Sequence, residues 1–339
     1  MFLFVESLPM LLIIQLSSAI LVYSDSKKRK MANALFWIIG VALFMPFFLP
    51  FYILLRPRKG IFHCPFCLAE NQFPVDHCQN CGSAIELARV KFREMEYGIL
   101  DVITIIVLSF FVIPFSVAGL LNAFGIIDRN LSSWGDLVGF NFIGTSSLLV
   151  LSLWFIFRVC KRPFEDIGLT KNKIYYNIII GAIILIPTFA ITYFAEEGIV
   201  RSLTNALPSH ANFIYEMQEQ EHNVPASIYP ENISNIIQLI IAGFLMVILA
   251  PIAEEITFRG MMYSAFRRKH GKWFSMTFSS LIFAFSHGQI LHFIPILFSG
   301  YILAYLFERT KSLVPSISLH ILINLFFTIA WYYKPSFYT

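Results

Sequence analysis

The chain has 339 residues, 57% of them apolar and 14% charged, with a mean hydropathy of +0.68 and a formal net charge of +4. A soluble domain carries about 25% charged residues, so this composition excludes one. The apolar residues run in long blocks without alternation, which excludes an outer-membrane β-barrel and leaves a polytopic all-α membrane protein.

The apolar blocks fall at about 7–23, 32–55, 99–125, 140–158, 174–194, 235–266, 273–287, 290–307 and 314–333. The fold expected is a transmembrane bundle of about eight or nine apolar helical segments with a small inserted zinc ribbon. Residues 1–59 read as a transmembrane or re-entrant hairpin, 60–85 as the ribbon, 86–98 as a charged linker helix and 99–339 as the bundle. Block 32–55 is flanked by basic clusters on both sides and contains Pro46 and Pro50, so spanning and re-entry both stay open.

Four cysteines, Cys64, Cys67, Cys78 and Cys81, form two C-x2-C knuckles, CPFC and CQNCG. This spacing suits tetrahedral Zn²⁺ in a structural site, and thiolates require a reducing compartment. The ribbon is therefore expected in the cytosol. The basic loops Lys161–Lys173, Arg267–Lys272 and Arg309–Lys311 then fall on the same side, as positive-inside orientation requires. No Lys or Arg occurs from Ile61 to Ala84, which argues against nucleic acid and leaves a cytosolic protein as a possible ribbon partner. Cys160, alone at the end of a span, is expected to be inert.

The chemistry lies in three C-terminal apolar segments. Glu254, Glu255 and Arg259 stand in EEITFR, His287 in FAFSH, and His320 with Asn324 in HILIN. Ionisable groups at membrane depth cost several kcal/mol, up to roughly 10 or more by some estimates, and commonly mark function. Glu255 and Arg259 are i,i+4 and can pair, whereas Glu254 is turned ~100° away. Glu and His together can activate water, and His with Asn can hold an oxyanion. Singly, each element has a plain structural reading: an ion pair, or a helix-packing histidine. A second EExxxR copy, Glu196 to Arg201, reads as a solvated helix terminus. His292 reads as interfacial and His270 as surface.

The ordered set EExxxRG (Glu254 to Gly260), FxxxH (Phe283 to His287) and HxxxN (His320 to Asn324) resembles the CPBP family, the CAAX protease and bacteriocin-processing (Abi) intramembrane endopeptidases. The segment FEDIGLTKNK, Phe164 to Lys173, is similar to one common in that family, and the resemblance covers roughly 100–333. It implies a helical bundle around a cavity. It also implies that Glu254 and His287 activate water, that His320 and Asn324 stabilise the oxyanion, and that Glu255 with Arg259 supports the first acid. The ribbon is an addition outside the family pattern, and the resemblance does not fix whether the active site holds a metal.

The expected activity is therefore hydrolysis of a peptide bond in a membrane-associated or lipid-modified substrate, at a bacterial plasma membrane. The competing readings are a non-catalytic membrane scaffold working through the ribbon, and a transporter using the same polar residues as an ion path. The C-terminal half lacks the broken helices and internal repeats typical of a transporter.

Overall fold

The structure, a computed structural model, describes residues 2–29, 31, 33–57, 60–73, 75, 77–85, 92–127, 133–170, 173–222, 229 and 236–332. Two compact units divide the chain, one of residues 1–108 with 153–163, the other of 109–152 with 164–339.

The first unit opens with helix α1 (Phe2–Lys28) and α2 (Ala34–Leu55). By length and composition α2 could cross a bilayer. Its geometry is that of a hairpin. The helix breaks at Phe44 (φ −146°, ψ 66°), and Trp37 then packs on Tyr52 with ring centroids 5.8 Å apart. In a straight helix these two residues would lie about 22 Å apart along the axis. Pro46 has no N–H, which orphans the Ala42 carbonyl; Gln15 of α1 fills it, Nε2 donating at 2.6 Å. The two ends of α2 lie together, because Asp25 accepts from Arg29 before the hairpin (2.8 Å) and from Arg56 after it (3.2 Å). The block 32–55 is thus bent into a helical hairpin whose two ends meet at Asp25.

Strands β1 (Gly60–His63), β2 (Glu70–Phe73) and β3 (Phe92–Met95) form an antiparallel sheet in the order β2-β1-β3. β3 corrects the expected charged helix over 86–98, of which residues 86–91 lie outside the described ones. Charge pattern alone suggested a helix, but β1 has two edges and only β2 on the first. Pairing of Gly60 with Met95 satisfies the second, and pairing context overrides local preference. Helix α3 (Ile99–Val107) ends this run.

The second unit contains α4 (Ile113–Ala123), most of α5 (Trp134–Trp154), α6 (Ile174–Ala206) and α7 (Ala211–His222). After these come α8 (Ile236–Gly243), α9 (Ala250–Glu255) and α10 (Ser264–Arg267), joined by π-helical turns at Phe244–Leu249 and Ile256–Tyr263. Helices α11 (Lys272–Ser286), α12 (Phe293–Thr310) and α13 (Val314–Tyr332) complete it. Leu303, Leu306, Leu319 and Ile323 make a core between α12 and α13, closed by Ile180 and Ile184 of α6.

Among the described residues, five helical stretches are long and apolar enough to cross a membrane: 34–55, 99–123, 134–159, 174–206 and 236–267. Many of their apolar side chains face outward, as Ile179, Ile183 and Ile186 do on α6. A water-facing helix would carry polar groups there, so the chain is an all-α integral membrane protein.

Candidate active site

Glu254 and Glu255 end α9, a single α-helical stretch between two π-helical turns. π-bulges are rare and concentrate at functional sites. Glu255 is fully buried, and its Oε1 accepts from Arg259 Nη1 at 2.9 Å and from His320 Nδ1 at 2.8 Å. Arg259 is buried as well; its Nη2 donates to the Gly300 carbonyl at 3.1 Å, and its guanidinium lies 4.2 Å from the Phe283 ring centre. Arg259 is thus held by Glu255, Gly300 and Phe283, while Glu255 Oε2, like an oxygen of Glu254, is buried and accepts from no described residue.

Two glycines make this close packing possible. A Cβ on Gly300 would sit 3.0 Å from the Phe283 ring and 3.5 Å from Arg259 Nη2. One on Gly260 would sit 3.2 Å from the Ile167 carbonyl, in the FEDIGL segment that the sequence singled out. Gly260 is thus the place where EExxxRG rests on that segment.

His320 connects the two glutamates. Its Nδ1 carries a proton, because a carboxylate only accepts, and its Nε2 lies 3.8 Å from Glu254 Oε2. That Oε2 is buried and accepts from no described residue. A buried carboxylate oxygen in this state has capacity for a proton or a donor.

His287 follows the end of α11. Its Nδ1 donates to the Phe283 carbonyl at 2.8 Å, which leaves Nε2 with the basic lone pair. It meets the group through the Phe283 ring, which it contacts edge-on at 4.6 Å and which His320 contacts at 5.9 Å. The Phe of FxxxH is therefore a hub for Arg259, His287 and His320.

Asn324 donates Nδ2–H to the Met246 carbonyl at 2.8 Å. Around Met246 the backbone bonds run i to i−5, as Ala250 N–H to Leu245 O does. The next donor in this register would be Pro251, which has none. Asn324 fills the acceptor that Pro251 orphans, and one Nδ2–H remains for another partner.

The structure thus joins Glu254, Glu255, Arg259 and His320 directly, brings His287 in through Phe283, and ties Asn324 to α8–α9. Residues 236–326, containing all six, match the model of the Type II CAAX prenyl endopeptidase Rce1-like family. Over 103 residues, 29% of the chain, it is 34% identical to "Putative membrane peptidase YdiL" of Bacillus subtilis (strain 168). The matched region spans 42% of that relative's length. No solved structure matches. The likeness to the CPBP proteases thus lies in residues 236–326.

Outside residues 236–326 lies a second constellation, in the ribbon. The ligand atoms of Cys64, Cys67, Cys78 and Cys81 all lie within 4.8 Å of one another, so the group could hold a metal ion. Sγ atoms on a tetrahedral zinc at ~2.3 Å would be about 3.8 Å apart; Cys64–Cys81 is 3.7 Å and Cys67–Cys78 is 3.6 Å. The knuckles repeat each other. Leu68 N–H donates to the Cys64 carbonyl and Gly82 N–H to that of Cys78, each at 2.9 Å. N–H groups aimed at sulfur, first that of Cys81, hold the Cys78 thiol at about 6, below its ordinary value.

Sequence reasoning missed one cluster, which lies around His292. Glu196 was expected to be solvated; its side chain is largely buried, accepts from Gln218 Nε2 at 2.8 Å and faces His292 Nε2 at 3.4 Å. His292 Nδ1 bonds Glu221 Oε2 at 2.7 Å. No spacing rule finds this, since the three residues come from α6, α7 and the turn before α12.

Proposed function

We propose that the chain is an intramembrane endopeptidase that hydrolyses a peptide bond by direct attack of water. The observation that carries this is the chain Arg259–Glu255–His320–Glu254, which ends in a buried, unpartnered carboxylate oxygen. Glu254 accepts a proton from water as the water oxygen bonds to the scissile carbonyl carbon. Glu255 holds His320 by Nδ1 and so aims Nε2 beside Glu254, where a proton carried on Nε2 is donated to the developing oxyanion. The remaining Nδ2–H of Asn324 adds a second donor. Collapse of the tetrahedral intermediate breaks the C–N bond, and the proton held by Glu254 passes to the leaving amine. His287, with Nε2 unprotonated, orients the attacking water.

The substrate class is a membrane-embedded or membrane-associated peptide or protein, and a prenylated C-terminus fits the matched family's printed description. The metal of the ribbon is proposed to be zinc, supplying a structural crosslink and no catalytic step. The ribbon and the basic loops are placed in the cytosol of a bacterial cell.

The test compares membrane proteomes of cells expressing wild type or Glu254→Gln at equal levels. New termini that require wild type support the reading and name the substrates; identical profiles refute it.

A further inference from the structure

We infer that Glu221 is a positioning residue for His287, acting through the turn 288–292. The inference rests on the reading above that His287 serves the hydrolytic site. His287 stands at the C-terminal end of α11, and five residues later His292 begins α12. No His292 side-chain bond caps that helix. The cap comes from Glu221 on α7, a helix of the long polar loop. Its carboxylate accepts from the backbone N–H groups of Ile290 (2.7 Å), Leu291 (3.1 Å) and His292 (2.9 Å), and from His292 Nδ1 (2.7 Å).

A carboxylate at a helix N-terminus meets orphan donors and the positive end of the helix dipole. Here one side chain fixes three consecutive backbone groups of the short connection that carries His287. Two further links hold α7 in place: Gln289 Nε2 donates to the Glu221 carbonyl at 3.3 Å, and Leu291 packs with Val200 and Ile214. Gly288, with φ +68°, gives this turn little stiffness of its own. Without Glu221 the three N–H groups lose their carboxylate acceptor, and the end of α11 that carries His287 loses its anchor to α7 and α12.

The test uses the full chain in lipid nanodiscs, comparing wild type with Glu221→Ala, Glu221→Gln and the exposed control Glu219→Ala. Amide exchange over 288–292, the rate of His287 modification by diethyl pyrocarbonate, and Glu254-dependent cleavage are read together. Expected for Glu221→Ala is exchange about tenfold or more faster over 288–292, unchanged over 314–326. A changed His287 modification rate and a loss of cleavage accompany it. Glu221→Gln, which keeps an acceptor, recovers part of each, and Glu219→Ala matches wild type. Unchanged exchange over 288–292 overturns the inference, as does a loosened turn with full cleavage. Faster exchange throughout the second unit also overturns it, since the role is then structural. If wild type shows no Glu254-dependent cleavage, the hydrolase reading falls. Exchange and His287 modification then decide alone: both changed supports the link between Glu221 and His287, and either unchanged removes it.

Discussion

His320 donates Nδ1–H to Glu255 at 2.8 Å across two helices that are 65 residues apart in the chain, and the same carboxylate oxygen holds Arg259. Glu255 is thus the keystone of a buried charge cluster, and the partly exposed Glu254 beside it is the proposed reactive acid. The two adjacent acids should fail differently. Glu255→Gln leaves the Arg259 charge uncompensated and should cost about 3–5 kcal/mol. Glu254→Gln should leave the melting temperature in detergent nearly unchanged and lower cleavage by roughly 10²–10⁴-fold. Thermal unfolding with cleavage measured on the same samples checks both; equal melting losses would contradict the division of roles.

Asn324 satisfies the Met246 carbonyl that Pro251 orphans. Asn324→Leu should cost about 1–3 kcal/mol for a buried unsatisfied acceptor, besides its effect on cleavage. Pro251→Ala supplies an N–H to that register. The double variant should therefore be more stable than Asn324→Leu alone, and a thermal double-mutant cycle measures the difference.

In the ribbon, Leu68 occupies the left-handed position (φ +61°) that Gly82 fills in the other knuckle (φ +72°). Leu68 is 73% exposed, so it gains little burial in return. Left-handed backbone costs an L-residue roughly 1–2 kcal/mol, so Leu68→Gly should tighten metal retention against a competing chelator by a few-fold. Cys78→Ser should abolish it, with metal analysis of the purified full chain showing about one zinc in wild type and none in the variant.

The Glu221–His292 contact should depend on pH. Burial raises the Glu221 carboxyl, but its bonds from His292 and from the backbone N–H groups of 290–292 outweigh this and lower it. Burial lowers His292, but Glu196 and Glu221, the two acids that face it, outweigh this and raise it above 6.5. A lowered acid contributes stability above its unfolded value, lost as pH falls through the folded one. A raised histidine contributes below its unfolded value, lost as pH rises through the folded one. Protection of 288–292 from exchange should therefore be greatest between about pH 4.5 and 6.5 and decline on either side. A flat profile in wild type, or one unaltered by His292→Gln, would contradict this.

Spacing alone placed Glu255 and Arg259 on one face, because i,i+4 geometry is local. It equally gave the two knuckles of the ribbon and the ordered motifs of α9–α13, and composition required a bilayer. It misread residues 92–95, where the free edge of β1 decided the outcome, and it gave no sign that 32–55 breaks at Phe44 and sets Tyr52 against Trp37. Glu196, Glu221 and His292 carried no signal, since nothing in their spacing shows that three elements converge. The sequence by itself determined what recurs along one helix or one loop: apolar length, charge placement, ligand spacing and motif order. Only the tertiary structure decided which acid holds His320, why Asn324 points to Met246, and what caps α12. Those bonds join groups distant in the chain, and their worth depends on burial and on the orphaned backbone atoms they satisfy.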